Sequence, residues 1–452
     1  MGTALRLPRI ASGQGDGGVK MSVEKLRKQS DSAILKYVLS AFTIAFLIGA
    51  ICAPDRGEML GGLWRIITKP SLLTKDYFAL EIGSISGAFL NAALVGAVCC
   101  LLMYLPGAVA GGGTVAAYML TVGFSFFGIN VLNIWPFLLG TFVYSLLKRQ
   151  PFSKFINFAM FSTALAPLVS EVLFRYPATE VRSVTPLGVA LALVIGVVVG
   201  VAMPALCAQS QAFHKGYDLY NAGPAAGFLG MMIFAIMYKT LGIEAPAIAA
   251  TLSDGYRTFC NVFAIACFAL CLIFGYIFNG GIKGYKGLIL DSGYKADFVG
   301  KYGVGATILN FGVYGLFIMA YYNLIGATFT GPTFGVVWCM LAFCAGGATP
   351  LNVLPIMVGY FIGSLFGVNA INAQAIVVGL CFASGLAPVS GQYGPIAGVI
   401  AGVLHYCLVT SVPAIHGGFN LYNGGFTSGL VAFVLVPVIG HFFKSRDEKL
   451  AK

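Results

Sequence analysis

Residues 214–227 read HKGYDLYNAGPAAG, and residues 416–429 read HGGFNLYNGGFTSG. A polar, glycine-rich phrase written twice in an apolar chain raises the question of what else is written twice. Leu90-Asn91 followed by Gly96 matches Leu309-Asn310 followed by Gly315, and Gly112 and Thr114 match Gly331 and Thr333. Leu132, Asn133, Pro136, Gly140, Ser145 and Leu146 match Leu351, Asn352, Pro355, Gly359, Ser364 and Leu365, all at one spacing of 219 residues. FSTALAPLVSE then matches FASGLAPVSGQ at a spacing of 221. The opening phrases pair at 202, because the first copy carries extra residues around Arg175–Thr185. An ordered series of matches implies two homologous halves. They divide the chain into a basic tail (1–32), a first repeat (33–240), a linker (241–256), a second repeat (257–443) and a second basic tail (444–452).

Composition sets the solvent of these halves. The chain has 452 residues, of which 58% are hydrophobic and 10% charged. Soluble domains carry about 25% charged residues. Runs such as Leu35–Cys52, Leu187–Leu206 and Gly429–Phe443 suit a hydrocarbon core about 30 Å thick. The expectation is an all-α polytopic protein of the cell membrane, with the lipid bilayer as its first partner. The net charge of +11 is concentrated in the tails and a few loops, as the positive-inside rule requires, and gives no reason to expect nucleic acid. The 11 cysteines form no CxxC pair, and the 4 histidines stand apart from any metal-ligand spacing, so no cofactor is expected. The first twenty residues lack the apolar core of a signal peptide. Met21 is a second candidate start, with the residues before it a disordered extension.

Each half offers about seven apolar segments. If the basic N-terminal tail is cytoplasmic, counting crossings puts Lys148, Arg149 and Lys154 inside, whereas the equivalent loop LFGVNAIN is uncharged. The loop with Lys283, Lys286 and Lys295 and the C-terminal tail fall inside in the second half. Equivalent loops are thus basic in one copy and mostly neutral in the other, as two inverted-topology repeats with an odd number of crossings would be. The loop around Arg56–Lys75 runs against this pattern. The third and fourth segments, joined only by GINVLN or GATPLN, are either two short crossings or a re-entrant hairpin.

Inverted repeats place solute sites where broken helices meet near the bilayer midplane. Three repeated features have that character. Asn133 to Pro136 and Asn352 to Pro355, sharpened by Thr349, read as helix breaks facing a solute, or as tight surface loops. Leu-Ala-Pro is followed by Glu171 in one copy and by Ser390 and Gln392 in the other. Glu171 is a coupling candidate, or a carboxylate paired with Arg175. Tyr220-Asn221 and Tyr422-Asn423 precede glycine clusters and a final helix. There asparagine can cap amide donors, and tyrosine can serve either the path or the aromatic belt. Asp218 is a second coupling candidate.

The phrases LNAALVG, LYNAGPAAG and LYNGGFTSG resemble glycine-asparagine phrases found in each half of urea transporters, which implies a narrow slot for a small neutral amide. That resemblance covers short segments only, and the proline-rich signature of those proteins is not intact here. Along most of its length, through the paired LYNxG phrases, the chain resembles an uncharacterised family of prokaryotic integral membrane proteins. The leading expectation is a transporter or channel for a small polar solute, with both termini cytoplasmic. A cation-coupled carrier is the alternative. Less favoured are an intramembrane enzyme built on PVSGQYG and His405, and a structural membrane protein; no enzyme activity is expected. No phosphate-binding loop occurs, so transport is not driven by an ATPase of its own. Homo-oligomerisation fits such a chain, although no sequence feature fixes a subunit number.

Overall fold

The computed structural model describes residues 16–253 and 255–451, with side chains from Ser30 onward. The described residues are helical and contain no strand. The main helices of the first half are α1 (Asp16–Cys52), α2 (Ile85–Tyr104), α3 (Gly112–Gly123), α4 (Trp135–Leu147), α5 (Ile156–Ser162), α6 (Ala166–Phe174), α7 (Pro186–His214) and α8 (Ala222–Phe234). Those of the second half are α9 (Arg257–Asn279), α10 (Val304–Leu324), α11 (Gly331–Leu341), α12 (Pro350–Phe366), α13 (Gln374–Ala383), α14 (Ala387–Tyr393), α15 (Pro395–Val409) and α16 (Asn423–Phe442). Nine helical stretches of the described residues are long and apolar enough to cross a membrane, as expected of a multi-pass membrane protein. Helix α1 already runs from Asp16, ahead of Met21; the rest of the N-terminal extension lies outside the described residues.

Local chemistry explains where helices start. The Ser84 hydroxyl accepts the Gly87 N–H at the head of α2, and Thr185 accepts that of Gly188 at the head of α7. Pro186, Pro350 and Pro395 stand at first helical positions, where the missing N–H is no loss and φ is preset. Thr349 caps α12 in a capping box with Asn352. That cap moves the second helix break upstream of the expected place. Pro355 lies inside α12, and the irregular chain is 342–349. In the first half, by contrast, the break runs from Phe127 to Ile134, and Pro136 stands in the first turn of α4.

The third and fourth segments are separate helices. Helix α3 spans 12 residues and α11 spans 11, about 18 Å or less at 1.5 Å per residue, and nearly all of their side chains are buried. They cross each other at Gly123 and Gly335. The Cys339 thiol faces the Leu120 carbonyl at 3.9 Å, 219 residues away in sequence.

Hydrogen bonds recur at the sequence spacing. Asn91 Nδ2 donates to the carbonyls of Ser125 and Ile129, and Asn310 Nδ2 donates to those of Cys344 and Ala348. Glycines let the long helices touch in pairs. A side-chain carbon at Gly140 would lie 2.4 Å from the Val197 carbonyl oxygen, and one at Gly359 would lie 2.3 Å from that of Val399. Pro136 packs on Gly196, and Pro355 packs near Gly398 in the same way. Close packing of small residues is what holds helices together in lipid, where apolar burial gives little drive.

Candidate functional site

The two phrases fold alike. His214 ends α7, and the chain turns through Lys215 and Gly216 at φ 53° and 87°. His214 Nδ1 accepts the N–H groups of Gly216 and Asp218 at 3.3 Å each. Asp218 Oδ1 then accepts the Tyr220 N–H at 3.0 Å. In the second phrase Gly417 and Gly418 turn at φ 65° and 75°. His416 Nδ1 accepts the Asn420 N–H, and Asn420 Oδ1 accepts the Tyr422 N–H at 2.9 Å. Each phrase is tied to the other half: Leu219 N–H donates to the Gly385 carbonyl and Leu421 N–H to the Ala164 carbonyl.

The helices that follow meet at their first turns. A side-chain carbon at Gly223 would lie 2.3 Å from the Gly425 carbonyl carbon, so only glycine permits this approach. Gly227 packs on Phe426 while Gly429 packs on Pro224, the same contact exchanged between halves.

Around this crossing runs a stack of five buried rings. Phe343 and Tyr220 have centroids 4.0 Å apart, Tyr220 and Phe382 5.1 Å, Phe382 and Phe124 5.7 Å, and Phe124 and Tyr422 5.3 Å. A cavity approaches from each side. The larger, about 310 Å³, includes Thr74, Gln374, Phe382, Thr410 and Asn423 in its wall. The smaller, about 170 Å³, includes Gly112, Phe161, Tyr220, Asn221 and Phe343. Tyr220 lines the smaller and Phe382 the larger, and the two rings are in contact.

The larger cavity has a roof. Leu73 and Thr74 line it together with Ile248 and Ala250 of the linker. The Thr251 N–H donates to the Thr74 carbonyl, and the Leu73 N–H to the Gly418 carbonyl. Asp76 anchors this strap: its carboxylate accepts the N–H groups of Phe78, Gly331 and Ser253 at 2.7–2.8 Å. Burial raises the Asp76 pKa above the ordinary carboxylate value, while those three donors pull it down.

The expected site residues divide between this place and others. Tyr220, Asn221, Tyr422 and Asn423 converge on the helix crossing. Both tyrosines are buried rather than interfacial. Asn221 makes no capping bond and faces the smaller cavity. Asn423 is also no cap: its Oδ1 meets His416 Nε2 at 2.9 Å, and its Nδ2 donates to the Val409 carbonyl.

The other candidates brace the fold. Asn133 Nδ2 donates to the Gly128 carbonyl and to the Ser170 hydroxyl, while its Oδ1 accepts the Asn130 N–H. Asn352 spans the second break from the Thr349 N–H to the Gly347 carbonyl. Ser390 is buried beside Gly398. Gln392 joins the Ser292 hydroxyl to the Asp447 N–H. Neither cavity is lined by any of these four. Glu171 is buried, pairs with Arg175 at 2.6 Å and accepts the Tyr238 hydroxyl at 2.8 Å. His405 meets the Tyr360 hydroxyl with Nδ1 and the Gly424 carbonyl with Nε2, which occupies both nitrogens of the one base considered for Ser390.

Sequence reasoning missed the phenylalanines. Phe124 and Phe343 stand 219 residues apart, and Phe161 and Phe382 stand 221 apart. Each pair is identical at the spacing of its segment, so reading aromatic identities along the repeat would have found them.

Residues 55–239 and 277–441 match the model of a family described as "Protein of unknown function (DUF1576)". The chain belongs to this family. The matched residues take in both phrases, the five rings and most of the cavity walls, so the site lies within the part that family membership covers. No curated protein and no solved structure matches the chain.

Proposed function

We propose that the protein is a membrane transporter or channel for a small polar solute, with its path between two inverted repeats. The observation that carries this reading is the pair of cavities lined by the touching rings of Tyr220 and Phe382. Two cavities on a shared constriction, each walled by residues from both halves, are what alternating access or a narrow slot needs.

Several features support the inverted arrangement. Equivalent residues touch each other, Gly223 with Gly425 and Leu120 with Cys339. Other contacts occur in exchanged pairs, such as Leu219–Gly385 and Leu421–Ala164. This is the pattern of a two-fold relation. The matched family segments end at 239 and 441, the same spacing as the phrases. The alternation of basic loops supports a two-fold axis in the membrane plane, with both termini cytoplasmic.

The chemistry of the walls favours a solute with an acceptor oxygen to offer. The first turns of α8 and α16 begin at the cavities, through Asn221 and Ala222 on one side and Asn423 and Gly424 on the other. Helix starts present free N–H groups and a partial positive end. A small amide such as urea meets those requirements.

The test uses purified protein in lipid vesicles and stopped-flow light scattering under gradients of urea and short amides. Equilibration faster than in empty vesicles, altered when Phe382 is changed to alanine, is the expected result. Absence of any flux through folded protein for these solutes would remove the slot reading for them.

A further inference from the structure

Asp218 stands out among the buried carboxylates. Glu171 has Arg175 at 2.6 Å, and Asp76 has three backbone N–H donors. Asp218 is 2% exposed, its Oδ1 accepts the Tyr220 N–H, and the Ser428 hydroxyl is the one other polar group beside its carboxylate. No lysine or arginine forms an ion pair with it among the described residues.

The groups that face it are neutral or apolar. From its own loop come Tyr220 and His214; the histidine Nδ1 accepts the Asp218 N–H, and its ring also pairs with the Asn221 side chain. From α16 comes Gly429, where a side-chain carbon would lie 3.4 Å from Oδ2, together with Ser428, whose hydroxyl donates to the Gly425 carbonyl. From the turn before α14 comes Gly385, where such a carbon would lie 2.6 Å from Oδ1. Behind Tyr220 is the Cys381 thiol at 4.0 Å. Lys215 is exposed. Gly385 therefore clears space for a carboxyl group that no cation neutralises, and Gly429 lies at contact distance on another side. An isolated carboxylate in so dry a place is strongly disfavoured.

The second half supplies an internal control. Asn420 occupies the equivalent place, accepts the Tyr422 N–H in the same way, and supports the same turn. The fold needs a short side chain with an acceptor oxygen at this position; it does not need an acid. What Asp218 adds over asparagine is the capacity to take up and release a proton.

We propose that Asp218 is a proton-binding site that couples proton movement to the solute path, an inference that rests on the transporter reading above. The proton adds to Oδ2, giving a neutral acid that the closed packing of Gly385 and Gly429 tolerates. Its release leaves a carboxylate that is stable only when water or solute reaches it from the smaller cavity, which Leu219 and Tyr220 line. A proton fits better than a metal cation. Hard cations gather about six to eight oxygens, and here glycine carbons stand on two sides.

The experiment is infrared difference spectroscopy on the full chain in phosphatidylethanolamine–phosphatidylglycerol vesicles, across a pH series and with sodium chloride exchanged for choline chloride. Wild-type protein is expected to show the carbonyl stretch of a buried protonated acid, lost as pH rises. That band should be absent in Asp218→Asn, shifted in Asp218→Glu and retained in Glu171→Gln. An unchanged band in Asp218→Asn would overturn the proposal. So would a band abolished by sodium at constant pH, which would assign a metal cation instead. Circular dichroism and the thermal midpoint check that each variant is folded, and Asp218→Glu keeps the test open if the asparagine variant is not. The readout involves no flux, so failure of the amide-transport experiment and failure of this assignment are separable.

Discussion

The rings of Tyr220 and Phe382 lie 5.1 Å apart with their planes at 51°, and each lines a different cavity. Tyr220 belongs to the first half and Phe382 to the second. Changing Phe382 to alanine removes one of the two rings and is expected to join the cavities. Amide permeability measured by stopped-flow scattering should rise several-fold, with weaker discrimination by solute size. An unchanged rate would mean that the constriction lies elsewhere.

The crossing of α8 and α16 depends on glycine at position 223. A methyl group there would stand 2.3 Å from the Gly425 carbonyl carbon. Gly223→Ala forces the helices apart, at a loss on the order of 1–3 kcal/mol. The thermal midpoint in detergent should fall, and Gly425→Ala, whose added carbon would meet the Tyr220 side chain at 3.1 Å instead of backbone, should be milder. The exposed Gly57, which has open space around it, is the control.

Asn133 and Asn352 are expected to act on stability rather than selectivity. Replacing Asn133 by leucine strands the Asn130 N–H and the Gly128 carbonyl in the interior. Each buried group left unpaired loses about 1–3 kcal/mol. Asn133→Leu and Asn352→Leu should therefore reduce folded yield and thermal midpoint. The fraction that folds should keep the wild-type ratio of urea to formamide permeability.

Glu171 and Arg175 give an asymmetric prediction. Arg175→Ala leaves a buried carboxylate with only the Tyr238 hydroxyl, and breaking a buried pair in this way destabilises by about 3–5 kcal/mol. Glu171→Gln keeps hydrogen bonding to both partners and should be milder. Thermal melts of the two variants compare them directly, and a milder effect for Arg175→Ala would contradict the arrangement.

The strap over the larger cavity can be tested at Asp76. Asparagine there sets an N–H group against backbone N–H donors, so Asp76→Asn should loosen residues 72–76 and 249–253. Hydrogen exchange at Thr251 and Ser253 should accelerate, while exchange in the α9 helix stays unchanged.

How much of this was legible beforehand follows from what repeats. The twin phrases, the 219-residue spacing and the apolar composition announced a duplicated helical membrane protein, and the helices fall where those patterns place them. The individual roles were less legible. Asn133 looked like a solute contact and turned out to brace a loop, because a polar side chain at a helix break has two possible customers, the solute and the broken backbone. Phe124, Phe343 and Phe382 were overlooked because phenylalanine is common in any such chain.

Sequence by itself determined the solvent, the helical content and the division into two related halves, since these follow from composition and from spacing along the chain. Tertiary structure decided which polar groups remain unmatched. Glu171 and Asp218 are both acids near the ends of apolar segments. Spacing along one helix already sets Arg175 beside Glu171, but only packing in three dimensions brings Tyr238 to the first acid and Gly385 and Gly429 to the second. The reason is that a local helical neighbour can be read from spacing, whereas the absence of one at Asp218, and the groups that then surround it, depend on segments distant in the chain.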